Sequence, residues 1–209
     1  MANLSKSIDD QITEEERLVE HLGSLSIYSN EGIADVIKRV AKCPNALRTF
    51  LSKYTDLRDP IPVNSLRALW KILHNSNYKE QHTLFKENLL PKLTEYLLDK
   101  NPSVRYHAVR LIWKGAEHVA DAIQNDPEAK KVLGNLIKIF EWLNVETETK
   151  EYVLSTVTVL ARELPKGHEQ RNRIVRWFTM LIENRNYIGF SYLTTEGKKE
   201  LQELINELS

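Results

Sequence analysis

With 209 residues and 42% apolar side chains, the chain is long enough for one domain, or one elongated array, with a real core. Seven glycines and seven prolines are few for an all-β protein of this size, and alternating Val, Ile and Thr bounded by turns is almost absent, which points to an all-helical protein. The 29 Lys plus Arg balance 29 Asp plus Glu, so there is no general attraction to phosphate backbones, and a single cysteine excludes an intrachain disulfide.

The opening MANLSKSIDDQ lacks the apolar core of a signal peptide, and no apolar run approaches the roughly 20 residues of a membrane span. The expected location is the cytosol or the nucleus. Thr13, followed by Glu14, Glu15 and Glu16, starts a first helix, because Thr caps and carboxylates suit the positive end of the helix dipole. It runs to about Leu22, where Gly23 ends it. Its acidic character reads as a solvated face sooner than as a docking strip. Asn30 caps a helix with Ile33, Val36, Ile37 and Val40 inside, Cys43-Pro44-Asn45 interrupts it, and a helix through Leu47, Phe50, Leu51 and Tyr54 follows. After a connection with Pro60 and Pro62, Asn64 caps SLRALWKILHN, whose inner face carries Leu66, Leu69, Trp70, Ile72 and Leu73. A short helix runs from about Tyr78 to Lys86.

The stretch from Leu89 to His118 carries the clearest pattern. Leu89, Leu90, Leu93, Tyr96, Leu97 and Leu98 fall on one helix face. Asn101 caps the next helix, with Pro102 at its first position, where the missing N–H had no partner to lose. Val104, Ala108, Leu111 and Ile112 form that helix's inner face, and Asp99 and Arg105 are placed to bridge the turn. Gly115 falls inside the helix, as close helix approach would require.

A short helix over Val119 to Gln124 comes next. Asp126-Pro127-Glu128 starts another, with Val132, Leu133, Leu136, Ile137, Ile139, Phe140 and Leu143 apolar. Thr147 caps a helix carrying Val153, Val157, Leu160 and Ala161, and Pro165-Lys166-Gly167 breaks the pattern. A helix from about Glu169 to Glu183 packs through Ile174, Val175, Phe178, Leu181 and Ile182. An aromatic loop with Tyr187, Phe190 and Tyr192 leads to a helix capped by Thr195, with Leu201, Leu204, Ile205 and Leu208 on one face.

Three of these segments align: SLRALWKIL, SVRYHAVRLI and EYVLSTVTVLA. Ser65, Val104 and Val153 correspond, at offsets of 39 and 49 residues, as do Leu69, Ala108 and Val157, and Ile72, Leu111 and Leu160. LLPKLTEYLL likewise matches VLGNLIKIFEWL. The D-x-x-x-x-V-R hairpin and its recurrence resemble armadillo and HEAT repeats, whose units run at roughly 40–47 residues. The resemblance implies a right-handed α-solenoid over residues 30–183, with an N-terminal capping region over 1–29 and the aromatic loop and a capping helix over 184–209. One such hairpin cannot bury its apolar face alone, and stacking supplies the core.

In armadillo arrays the last helix of each unit lines a concave groove. On the central helix the face opposite the core carries Tyr106, Arg110, Trp113 and Glu117. The aligned positions are Arg67, Lys71 and His74 before it, and Ser155, Val159 and Arg162 after it. This mainly basic ladder suits an extended acidic peptide, with Trp113 as apolar anchor and Arg110 as fork-shaped partner of a carboxylate. Trp113 also fits a place in the core between units. On the groove reading, Arg110→Glu abolishes partner binding and leaves stability nearly unchanged. The span from Leu73 to Asp126 is similar to the armadillo-type nucleotide exchange factors of seventy-kilodalton heat-shock chaperones, which clasp the chaperone ATPase domain. However, Asn75-Ser76-Asn77-Tyr78 matches only part of the run expected there, and the N-terminal part departs from that family.

Catalytic chemistry finds no support. Cys43 has no base near it in sequence, the glycines form no phosphate-cradling loop, and the histidines lack ligand spacing. His107 and His118 on one helix would stand roughly 16 Å apart. The zero net charge argues against the HEAT-like DNA glycosylases, although Trp70, Trp113, Trp142 and Trp177 with Arg173 and Arg176 imitate their grooves. The sequence therefore predicts a non-enzymatic, protein-binding adaptor or regulatory subunit without cofactor or metal. Its alternative is an exchange co-chaperone.

Overall fold

The computed structural model describes Arg17, residues 66, 67, 69, 70, 73 and 74 of one helix, and the stretches 78–85, 89–126, 129–184 and 193–208. The predicted helices between Thr13 and Tyr54, Cys43, Lys71, Ile72 and the aromatic loop lie outside the described residues, although Arg17 itself is helical and exposed. Among the described residues every regular element is a helix: α1 Tyr78–Leu84, α2 Leu90–Tyr96, α3 Pro102–Lys114, α4 Ala116–Asn125, α5 Lys130–Glu141, α6 Thr147–Glu163, α7 Glu169–Glu183 and α8 Thr195–Leu208.

The helices come in triplets whose last member is the longest. Helix α1, α2 and α3 make one unit, and α4, α5 and α6 the next. The 66–74 helix stands as the last helix of the unit before them, and α7 with α8 follow. Helix α6 packs against α3, α4, α5 and α7, α2 packs against α3 and touches α5, and α7 packs against α8. Each unit's apolar faces therefore close against its neighbour. Hydrogen bonds between units carry the same period: Asn135 Nδ2 donates to the Thr94 carbonyl across 41 residues, and Trp113 Nε1 to Ser155 Oγ across 42.

Local chemistry sets the boundaries. The Asn101 side chain accepts from the Ser103 N–H, with Pro102 behind it, as the sequence implies. Arg105 and Asp99 bridge the turn before it, through the backbone. Arg105 Nη1 donates to the backbone carbonyls of Asp99 and Lys100 at 2.7 and 2.9 Å, while the Asp99 carboxylate accepts from the Asn101 N–H at 2.8 Å. The carbonyls left over at the end of α2 are the nearer acceptors. Gly115 does not lie inside a helix. It separates α3 from α4, and the Phe85 ring occupies the space a Cβ would take there. The short helix after it starts earlier than expected, at Ala116. His107 and His118 therefore sit on two helices rather than one.

Thr147 is the first residue of α6, and Glu146 before it makes no side-chain cap. Thr194 rather than Thr195 caps α8, its hydroxyl accepting from the Gly197 N–H at 3.0 Å. The turn Pro165–His168 closes with a 3.0 Å backbone bond, with Gly167 at φ 81° in the position that favours glycine. His168 Nδ1 then caps α7 through the Gln170 N–H.

The aligned positions Leu69, Val104, Ala108, Leu111, Val153, Val157 and Leu160 are all core. Two expected core leucines are not. Leu98 and Leu143 lie two residues past the ends of α2 and α5, where the helical period no longer turns them inward, and Leu143 is 72% exposed. Buried Arg171 joins the end of the array: it donates to the carbonyls of Leu164, after α6, and Leu208, at the end of α8. No helix among the described residues is long and apolar enough to cross a membrane.

Candidate functional site: the row of third helices

The last helices of successive units lie side by side, and their outer faces carry the ladder residues. Helix α3 presents Tyr106, Arg110 and Trp113, spaced by four and three residues, which places them on one face. The same spacing puts Arg67, Trp70 and His74 together on the 66–74 helix, and Glu148, Tyr152 and Ser155 together on α6. Each set meets the next. Tyr106 Oη donates to Glu148 Oε1 at 2.6 Å, and Trp113 Nε1 donates to Ser155 Oγ at 3.0 Å, both across 42 residues. Sequence alignment pairs Tyr106 with Ser155. Contact pairs it with Glu148, two turns earlier, because neighbouring helices meet at an offset.

Arg110 stands at the centre. Its guanidinium carbon lies 4.2 Å from the centroid of Trp70, 5.3 Å from Tyr106 and 5.6 Å from Tyr152. Trp70 stacks on Trp113 at 6.0 Å and 17°, and on His74 at 5.9 Å. Tyr152 closes the far side, edge-on to Trp113 at 5.1 Å and to Tyr106 at 6.0 Å. Ring faces carry negative charge density, so this box holds a cation. Arg110 Nε is buried and makes no hydrogen bond. Among the described residues no carboxylate forms an ion pair with Arg110.

Charges beside the box are displaced from their ordinary behaviour. His107, buried beneath it, accepts from Arg67 Nε at 3.2 Å. Burial first, then the positive charges of Arg67 and Arg110, push its pKa down to about 4. The Tyr106 hydroxyl is pushed up to about 12, by burial and then by its bond to Glu148, with Arg110 opposing.

The row thus brings together Arg67, His74, Tyr106, Arg110 and Trp113, and Lys71 lies outside the described residues. Trp113 is half-buried within the row, wedged between Trp70 and Tyr152. Glu117 belongs to α4, not to the α3 face. It lines a separate pocket of about 290 Å³ beside Trp113, with Gln81, Lys114 and Val159. Arg162 is not a free groove cation, since it pairs at 3.4 Å with Glu207 of α8. Arg110 is held over rings rather than standing free, so a stability-neutral Arg110→Glu is not expected of this geometry. Trp70, read as core, is half-buried and belongs to the row. Trp70 lies three residues after Arg67 and four before His74, and Tyr152 three before Ser155, so helix period alone puts both on the row's face; that their rings carry Arg110 follows only from the approach of α3. Among the described residues no group of three or more His, Cys, Asp or Glu is arranged to hold a metal ion.

No family model matches the sequence, and no curated protein matches it. Solved structures do. A computationally designed armadillo repeat protein for modular peptide recognition is similar with a TM-score of 0.55 and 17% identity, over 89% of this chain and 79% of that one. An engineered protein and a second designed armadillo repeat protein are more distant, with TM-scores of 0.46 and 0.44 and identities of 12% and 14%, over 96% and 93% of this chain and 93% of each of theirs. The chain is folded as an armadillo-type helical repeat, an all-α solenoid.

Proposed function

We propose that this chain is a non-enzymatic, protein-binding repeat, an adaptor or regulatory subunit, which takes an extended segment of its partner along the row of third helices. The observation that carries the reading is the continuous aromatic strip Trp70–Trp113–Tyr152, half-buried across three successive units and bordered by exposed Arg67 and His74. Trp, Tyr and Arg in a desolvated centre are the residues that dominate binding energy at interfaces. The designed armadillo protein with the same fold is described as made for peptide recognition, which supports a peptide-binding repeat. The proposal takes the array over 30–183, closed by 1–29 and 184–209, in a cytosolic or nuclear protein.

Affinity capture from a cell extract tests it. The doubly substituted chain Arg67→Glu, His74→Glu changes only exposed positions of the row, and Lys138→Glu changes an exposed position of α5. A partner retained by wild type and Lys138→Glu but lost from the row variant is the expected result. A partner lost only from Lys138→Glu moves the interface to the middle helices and overturns the reading. If the partner is a seventy-kilodalton heat-shock chaperone, and its nucleotide release accelerates, the function is exchange.

A further inference from the structure

The row does more than offer apolar area. Arg110 is a planar cation fixed in place by Trp70, Tyr106 and Tyr152, and among the described residues no carboxylate pairs with it. Glu148, the acid within the row, is engaged by Tyr106, and Arg162 is engaged by Glu207. Arg67 adds a second, exposed cation whose Nε is held by His107. Among the described residues the centre of the row therefore carries two cations, Arg67 and Arg110, against the single carboxylate of Glu148, which is turned to Tyr106.

A second feature lies next to it. Trp113 stacks on Trp70 at 6.0 Å and meets Tyr152 at 5.1 Å, and its other side borders the 290 Å³ pocket, which is lined mainly by the polar Gln81, Lys114, Glu117 and His118. In an extended chain, side chains two residues apart point the same way at a spacing of about 6.6 Å, so a peptide with a carboxylate on Arg110, over Trp70, has a further side chain within reach of Trp113, the ring stacked on Trp70.

We infer that the partner segment is an extended peptide that places a carboxylate on Arg110 and an apolar side chain against the neighbouring Trp113 ring. This rests on the reading of the row as a partner-binding face and adds the chemistry of what it binds. The ring box restricts the guanidinium before the peptide arrives, so little side-chain freedom is lost when the carboxylate docks, and its planar N–H groups donate to two carboxylate oxygens at once. A lysine in the peptide meets Arg67 and Arg110 as like charges. A glutamine leaves the cation without its counter-charge.

The experiment uses the full chain and labelled ten-residue peptides, each with two copies of a three-residue unit, read by fluorescence anisotropy. The units are Glu-Ser-Leu, Gln-Ser-Leu, Lys-Ser-Leu and Glu-Ser-Ser. The first binds at least tenfold tighter than the second, the third binds least, and the fourth is several-fold weaker than the first. Arg110→Gln erases the difference between the Glu and Gln peptides. The Glu-to-Gln exchange is made in the peptide, so it reads the same pair even where the Arg110 variant is less stable. Equal binding of the Glu and Gln peptides, tighter binding of the Lys peptide, or a difference that survives Arg110→Gln overturns the inference. Binding that ignores charge but is lost in the Arg67→Glu, His74→Glu chain removes the carboxylate and leaves the partner-binding row standing. Failure of all four peptides to bind also overturns the inference, with the capture experiment then judging the row by itself.

Discussion

Two nitrogen-bearing side chains in this protein are boxed in by rings, and they end in opposite states. Arg110 lies among Trp70, Tyr106 and Tyr152 on the third-helix row. His118, on α4, lies among Tyr78, His82 and Phe85 at centroid distances of 4.5, 5.5 and 5.8 Å. Both keep a buried nitrogen without a hydrogen bond, Nε of Arg110 and Nδ1 of His118. A guanidinium does not give up its proton in proteins, so the rings around Arg110 must answer a charge, and they do so with their faces. An imidazole can give it up. Burial, and then the nearby His82, push the His118 pKa down, with Glu117 and Asp121 opposing. The difference shows what each box is for. The first keeps a charge on the half-buried face of the third-helix row, and the second fills space neutrally between α1 and α4.

The largest expected effect breaks the neutral box. Gly115→Ala places a methyl group where the Phe85 ring sits, and should cost about 3 kcal/mol in a urea melt, at the upper end for overpacking. An unchanged midpoint would mean that Phe85 does not fill that space. Next comes the charged box. Arg110→Glu sets a carboxylate against ring faces and should cost about 2–3 kcal/mol, with Arg110→Lys losing under half of that, since the cation–π attraction is kept. Equal losses for Glu and Lys would show that only packing, and no charge, holds Arg110.

Acidification separates the boxes from the rest of the molecule. A histidine whose folded pKa is lowered binds its proton more readily when unfolded, so stability is full above about pH 6.5 and falls as the pH drops towards the folded value. For His107, with a folded pKa of about 4, the loss between pH 7 and pH 5 is about 2 kcal/mol. His107→Gln should flatten that slope in urea melts at the two pH values. A slope unaffected by this change would place the titration elsewhere. The smallest effect belongs to the rim: Tyr106→Phe removes the 2.6 Å bond to Glu148 and should cost about 1 kcal/mol by the same melts, because water replaces part of what is lost.

Much of this was legible in the sequence. The helices α2, α3, α6 and α7, the Asn101–Pro102 start and the aligned core positions follow from period and capping chemistry, which act over one or two turns. The composition of the row was legible too, for Arg67, His74, Tyr106, Arg110 and Trp113. What escaped depends on neighbours distant in sequence. The Trp70 face reads as core because tryptophan is apolar, and only the approach of α3 shows that its ring carries Arg110. Glu117 continues the α3 period on paper, but Phe85 fixes Gly115 as the end of that helix and moves Glu117 to another element. Arg162 reads as a groove cation until α8 brings Glu207 beside it.

The most direct test of the central claim is the arginine Nε–H resonance of Arg110 in a nitrogen-15 spectrum of the full chain, followed as the Glu-Ser-Leu peptide is added. The stacked geometry over Trp70 predicts an upfield-shifted signal that moves on titration, while that of Arg171, tied to the Leu164 and Leu208 carbonyls, stays fixed. An Arg110 signal at the ordinary position, unmoved by the peptide, would contradict both the caged cation and its role in binding.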